Sequence, residues 1–150
     1  MPWNFEQVAG PFDFTEGPAW DGEALFFTDI PTSRILRYDP QNGETSVFRT
    51  GTNEANGLMF DKDGQLYACE GGDGVTFPKG GQNYTTDGRR MVRYEKDGST
   101  TVILDQFEGQ RFNSPNDLAF DALGRMWFTD PRYGNKSDDL ELEHQSAYRA

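Results

Sequence analysis

Cysteine and histidine are almost absent from this sequence, and each absence excludes a kind of site. Cys69 is the only cysteine among the 150 residues, and His144 is the only histidine. One cysteine cannot form a disulfide within the chain, and zinc centres built from several cysteines or histidines are excluded as well. Cys69, next to Ala68, is typical of a small buried strand residue, and His144, in a polar stretch, is typical of a surface residue.

Long apolar segments are also missing. The first seven residues, MPWNFEQ, lack the basic and apolar regions of a secretory signal, and no run of about 18 apolar residues follows. We therefore expect a soluble cytoplasmic protein that has no membrane partner.

Positive charge is scarce. The sequence has 14 Lys and Arg residues against 25 Asp and Glu residues, a formal net charge of -11. Such a chain repels phosphate backbones and anionic membrane surfaces, so we expect no nucleic-acid partner. The acidity permits a bound divalent cation, but a surface charged for solubility is the better explanation of the charge taken alone.

Internal repeats are the most informative feature that is present. Residues 17–29, 57–70 and 117–130 resemble one another, and each reads as a strand, an Asp/Gly turn, a second strand and an acid. The first two copies are followed by a second strand pair, at residues 34–49 and 90–104. The pairs contain the strong hairpin signals Asn-Gly and Asp-Gly.

Each repeat therefore predicts a four-stranded antiparallel meander, and successive units of this size are typical of β-propeller blades. The predicted fold is all-β, a partial propeller of about two and a half blades that occupies residues 1–150. Blade 1 is expected at about residues 14–50, blade 2 at about 55–105 with an inserted loop at 71–88, and an incomplete blade 3 at about 115–150.

A propeller buries the faces of its blades by closing into a ring, which two and a half blades cannot do. Either the sequence is a fragment of a longer protein, or several copies complete a ring through their unpaired blade edges, or the edges are covered in a way that the sequence hides. We favour the fragment, because an end inside a blade is otherwise hard to explain.

Polar residues recur in register where the first strand of each repeat begins. Glu16, Asn56 and Asn116 precede the three first strands. The innermost strands of a propeller begin around a central channel, so one carboxylate and two amide oxygens would converge there. Such oxygen donors suit Ca²⁺ or Mg²⁺. Alternatively, each residue is an ordinary turn former whose side chain bonds its own backbone, although Glu is a poor turn former.

The motifs at these positions resemble those of a known family. EGPAW at residues 16–20, NGL with FD at 56–61, SPNDLAFD at 114–121 and WFTDP at 127–131 look like the gluconolactonase, senescence marker protein and luciferin-regenerating enzyme family. The resemblance spans nearly the whole chain and corresponds to the N-terminal half of the propeller. It implies a six-bladed parent that carries a divalent cation, usually Ca²⁺, in its channel, with Mg²⁺, Mn²⁺ or Zn²⁺ as alternatives. Many members hydrolyse sugar lactones.

Carried over residue by residue, the resemblance implies that Glu16 and Asn116 are metal ligands and that Asn56 faces the metal or binds substrate. Asn56 and Asn116 are thus the expected catalytic residues. A further metal-binding Asp of the family lies in a later blade, so we expect little lactonase activity from this chain unless self-association supplies that ligand.

Two more carboxylates are candidates for binding the lactone. Glu70 stands where an acid at the channel rim would contact substrate, and Glu54 is expected to face the opening. Asp29 and Asp130 hold positions matching that of Glu70 and are expected to tie loops together. The sequence leaves two functions open: a metal-dependent lactonase, or a propeller segment that serves as a binding platform, because fold alone does not fix function.

Overall fold

The computed structural model describes residues 2–72, 88–132 and 140–150, which form antiparallel sheets. The first sheet has the order β1-β2-β3-β4. Its strands are β1 (Thr15–Trp20), β2 (Leu25–Asp29), β3 (Arg34–Asp39) and β4 (Glu44–Thr50). A short 3-10 turn, Ile30–Thr32, joins β2 to β3.

The second sheet repeats this meander with the order β5-β6-β7-β8. Its strands are β5 (Ala55–Phe60), β6 (Leu66–Glu70), β7 (Arg90–Tyr94) and β8 (Thr100–Leu104). A small hairpin then follows, made of β9 (Gln106–Phe107) and β10 (Gln110–Arg111). The three-stranded third sheet consists of β11 (Leu118–Phe120), β12 (Met126–Asp130) and β13 (Ser146–Arg149).

An aspartate turn closes the first hairpin of every sheet. The Oδ1 atoms of Asp21, Asp61 and Asp121 accept hydrogen bonds from the backbone two to four residues later, at 2.7–3.1 Å. Each turn contains a glycine with positive φ, a conformation that glycine adopts without steric cost. The repeated Asp/Gly spacing of the sequence thus produces the same turn three times.

The cores lie between neighbouring sheets. Phe26, Ile35 and Leu58 belong to the cluster between the first two sheets, and the ring of Phe26 contacts the ring of Phe60 edge to face at 5.2 Å. Leu118 and Phe128 belong to a second cluster, which joins the third sheet to the second. The sheets therefore stack through their faces, as blades do.

The sequence predictions of an all-β fold and of four-stranded antiparallel blades are confirmed, and the hairpin β9–β10 was not predicted. Most of the inserted loop, residues 73–87, lies outside the described residues. Within the described part of the chain, no helix is long and apolar enough to cross a membrane.

Candidate functional site

The first strands of the three sheets enclose one cavity. Strand β5 lies between β1 and β11, so the residues at the starts of these strands are neighbours. The cavity has a volume of about 460 Å³, and four of the predicted site residues line it: Glu16, Glu54, Asn56 and Asn116. The structure thus brings together side chains from three separate repeats.

Irregular pairing in the first two sheets occurs where the predicted site residues lie. The register between β1 and β2 shifts between Glu16 and Ala19, and the register between β5 and β6 shifts between Ala55 and Leu58. Such a bulge re-aims side chains and is common beside functional sites. Here it interrupts strand alternation at or next to Glu16 and Asn56, two of the residues that line the cavity.

Close backbone contacts fix the spacing of the three strands. A Cβ on Gly17 would lie 2.1 Å from the carbonyl oxygen of Asn56, and a Cβ on Gly57 would lie 2.7 Å from that of Asn116. The backbone N–H of Gly57 donates to the Asn116 carbonyl at 2.7 Å. Of the three inward residues, Glu16, Asn56 and Asn116, the first two are followed by a glycine, which leaves room for the backbone of the next repeat.

The hydroxyl of Thr28 ties the first two repeats together. Its Oγ1 lies 3.0 Å from the carbonyl oxygen of Glu16 and 3.1 Å from that of Asn56, within donating distance of both. Thr28 itself is fully buried, so the bridge lies on the inner side of the two strands.

Two of the inward side chains contact each other directly. The Asn56 side-chain amide donates a hydrogen bond from Nδ2 to Oδ1 of Asn116. An amide oxygen has two lone pairs, so Asn116 Oδ1 can accept this bond and still coordinate a cation. Carboxylate and amide oxygens are the donor types that Ca²⁺ and Mg²⁺ take in proteins, so the chemistry of Glu16, Asn56 and Asn116 is compatible with such a cation. Within residues 2–72, 88–132 and 140–150, no three His, Cys, Asp or Glu side chains cluster as a metal site.

Asp117 also lines the cavity, although strand alternation predicts that it points away from Asn116. Strand β11 begins only at Leu118, so alternation does not yet apply to Asp117. Its Oδ1 accepts the backbone N–H of Leu118 at 2.9 Å, so the side chain bonds the backbone where β11 begins. The sequence signal was available, since Asp117 stands where the other repeats have Gly17 and Gly57.

Glu70 is placed apart from the cavity. Its carboxylate is buried, with 2% of the residue exposed, and accepts hydrogen bonds from Arg90 Nε at 2.8 Å and Tyr94 Oη at 2.9 Å. Burial raises the pKa of Glu70, while Arg90 and Tyr94 offset part of that rise. Arg90 lies opposite Glu70 in the β6–β7 register, so the carboxylate bonds a strand neighbour. Glu70 is not among the residues that line the cavity.

The acids that end β2 and β12 anchor the segments before the inward residues. Asp29 accepts hydrogen bonds from Arg34 at 2.9 Å and from the backbone N–H of Phe14 at 3.2 Å. Burial alone would raise the pKa of Asp29, but bonds from Thr32, Arg34 and Phe14 outweigh it and lower that pKa. Asp130 accepts the backbone N–H groups of residues 113 and 114.

Comparison with known proteins shows the family of the chain. The sequence profile described as the SMP-30/gluconolactonase/LRE-like region matches residues 14–150. The chain belongs to this family. It is 31% identical over 163 residues to a gluconolactonase of Zymomonas mobilis, a match that covers 96% of the chain and 42% of that relative.

Solved structures of family members and of more distant proteins share the fold. A gluconolactonase from Xanthomonas campestris superposes with a TM-score of 0.77 at 30% identity, over 95% of this chain and 45% of that one. Regucalcin from Agrobacterium tumefaciens, described as a calcium-binding protein, superposes with a TM-score of 0.57 at 19% identity, over 85% and 41% of the two chains. The chain therefore spans less than half the length of these relatives, and the fold is that of a β-propeller.

Proposed function

We propose that the cavity is part of the active site of a divalent-metal-dependent hydrolase that opens sugar lactones. The observation that carries this proposal is the convergence of Glu16, Asn56 and Asn116 on one cavity from three successive repeats. The gluconolactonases among the relatives support the substrate class. We take Ca²⁺ as the cation, with Mg²⁺, Mn²⁺ and Zn²⁺ as alternatives.

The residues divide into two groups by chemistry. Glu16 and Asn116 would hold the cation through a carboxylate and an amide oxygen, and a bound divalent cation polarises a carbonyl and positions water. Asn56 orients Asn116 through their hydrogen bond and has a second side-chain group for the lactone. Glu54, buried in the cavity wall, would accept hydrogen bonds from sugar hydroxyl groups.

The length of the chain bears directly on activity. Glu16 is the one carboxylate in the proposed ligand set, and the relatives are more than twice as long as this chain. We propose that a further ligand comes from another part of the propeller or from a second copy joined through blade edges. Hydrolysis should then depend on the assembled state.

The test is hydrolysis of an aldonolactone followed with a pH indicator, beside mass measurement by size exclusion. We expect calcium-dependent hydrolysis by assemblies that enclose the cavity, loss of that rate with EDTA or with Glu16→Gln, and little hydrolysis by the monomer. Glu6→Gln, which changes an exposed residue of the N-terminal segment outside the cavity lining, is the matched control. A hydrolysis rate of the assemblies that changes neither with EDTA nor with Glu16→Gln would contradict the proposal.

A non-catalytic binding platform is the second candidate. The observation that favours it is the small number of carboxylates in the donor set, since one Glu with two amides is a weak ligand set for a catalytic cation. A platform would bind a lactone or its hydroxy acid without turnover. Equilibrium binding of the lactone, unchanged by calcium and without product formation, would favour this alternative.

A further inference from the structure

A hydrogen bond holds the same backbone position before each of the three inward residues. Two residues before Glu16, Asn56 and Asn116, the backbone N–H donates to a buried side-chain oxygen, and we call this bond the grip. The three bonds are Phe14 N to Asp29 Oδ1 at 3.2 Å, Glu54 N to Ser33 Oγ at 3.0 Å, and Ser114 N to Asp130 Oδ1 at 2.7 Å. In the first and third repeats the acceptor is the acid that ends the second strand.

The grip is strongest in the third repeat. Asp130 is fully buried, and its second oxygen accepts the backbone N–H of Asn113 at 2.9 Å. The Asn113 side-chain amide also donates to the carbonyl of His144 at 2.9 Å. One carboxylate therefore holds two consecutive N–H groups of the segment that leads to the cavity.

The chain between this grip and the cavity has little freedom. Pro115 fixes its own φ, and Ser114 is confined to extended conformations because it precedes a proline. On the far side, the backbone N–H of Asn116 donates to the carbonyl of Thr129 at 2.9 Å, next to Asp130 in β12. A displacement of the Ser114 backbone should therefore also move Asn116, because few torsions between the two residues are free to compensate.

Keeping a carboxylate buried is costly unless hydrogen bonds stabilise it. Burial raises the pKa of Asp130, and the two backbone donors, together with the charges of Arg89 and His144, offset only part of that rise. A neutral side chain could hold an ordinary turn with a smaller free-energy cost of burial. A carboxylate forms shorter and stronger hydrogen bonds, so its presence here indicates that the position of the bonded backbone matters.

We propose that Asp130 is a positioning residue that sets the side chain of Asn116 in the cavity by gripping the N–H groups of Asn113 and Ser114. Asp130 touches neither substrate nor cation. The inference rests on the proposed function for its consequence, because Asn116 is there a metal ligand, but the grip itself concerns the metal-free protein.

The test compares Asp130→Asn with Asp121→Asn in the full chain. Asp121 is a matched control in the same sheet, since its carboxylate also accepts two backbone N–H groups, from Leu123 at 2.9 Å and Arg125 at 3.1 Å, but its turn does not lead to the cavity. The first readout is the NMR signal of the Asn116 side-chain amide without metal. The second is calcium affinity by titration calorimetry.

We expect Asp130→Asn to move the Asn116 amide signals and to weaken calcium binding about tenfold, which corresponds to about 1.4 kcal/mol. Asp121→Asn should lower the melting temperature and change neither readout. Unmoved Asn116 signals in Asp130→Asn, or equal movement in both variants, would overturn the inference. If the wild-type protein binds no calcium while the Asn116 signals still move, the proposed metal site fails and the positioning role stands.

A second variant keeps the inference testable if Asp130→Asn does not fold. Pro115→Ala frees the torsions between the grip and the cavity and leaves both N–H bonds to Asp130 in place. We expect broadened Asn116 side-chain signals with the Ser114 amide still protected from exchange. Asn116 signals identical to those of the wild type would overturn the inference that Pro115 links the position of Asn116 to the bonds of Asp130.

Discussion

Replacing Gly17 by alanine should separate the first two blades at the edge of the cavity. Gly17 has φ of +55°, and an added Cβ would lie 2.1 Å from Asn56 O and 2.9 Å from Leu58 N. Both are backbone atoms, so no flexible side chain can move aside. The variant therefore combines backbone strain with a clash between β1 and β5.

The expected cost is the sum of these two effects. A left-handed conformation costs a residue with a Cβ roughly 1–2 kcal/mol. Overpacking that forces the backbone to shift adds roughly 1–3 kcal/mol. We expect Gly17→Ala to lower the free energy of unfolding by about 2–5 kcal/mol, a large share of the stability of a small domain.

Two control glycines separate the contributions. Gly64 has φ of +74° with no atom near the added Cβ, so Gly64→Ala measures strain alone. Gly57 does not have positive φ, and its Cβ would meet the backbone of Asn116 and Asp117 at 2.7 Å, so Gly57→Ala measures the clash alone. Urea unfolding of the three variants gives each free energy. A Gly17→Ala variant no less stable than Gly64→Ala would refute the close approach of the two strands.

Three further predictions concern buried polar groups. Tyr94→Phe removes a hydroxyl that donates to the buried Glu70 carboxylate and should cost roughly 1.5–3 kcal/mol in urea unfolding; an unchanged midpoint would contradict that bond. The pKa of Glu70 is raised above 4.5 in the folded protein, so just above pH 4.5 the folded state binds more protons than the unfolded chain. The free energy of unfolding of the wild type should therefore fall as pH rises, relative to that of Glu70→Gln. The opposite slope in urea unfolding across this range would show that the pKa is lowered. Thr28→Val removes the hydroxyl that bridges the carbonyls of Glu16 and Asn56 and should lower the free energy of unfolding by roughly 0.5–1.5 kcal/mol, whereas a neutral effect would show that the bridge is dispensable.

The sequence predicts well whatever the repeats share. Aligned repeats place equivalent residues at equivalent points of the fold, so the neighbourhood of Glu16, Asn56 and Asn116 follows from their register alone. The Asp/Gly turns and the antiparallel order of each sheet follow from local spacing for the same reason. The metal and substrate roles of these residues stay predictions.

The hydrogen-bond partners of the buried carboxylates were harder to predict from the sequence, because the tertiary structure determines them. Asp29, Glu70 and Asp130 hold equivalent positions in the sequence, yet Glu70 turns to Arg90 and Tyr94, while Ser33 of the first repeat supplies the grip for the second. The arginine belongs to the repeat pattern, because Arg34 bonds Asp29 as Arg90 bonds Glu70. The difference lies in the other carboxylate oxygen, which accepts the backbone N–H of Phe14 in Asp29 and the hydroxyl of Tyr94 in Glu70. The hairpin β9–β10 was missed, although Glu108-Gly109, both with positive φ, is a recognisable turn signal.

The most direct test of the central claim is a calorimetric titration of calcium into three proteins: the wild type, Glu16→Gln and the exposed control Glu6→Gln. If the starts of the three repeats form a cation site, the wild type and Glu6→Gln bind calcium with equal affinity, and Glu16→Gln binds it much more weakly because the one carboxylate of the proposed ligand set is gone. Equal calcium affinity in all three proteins, or no binding in any of them, would contradict the account.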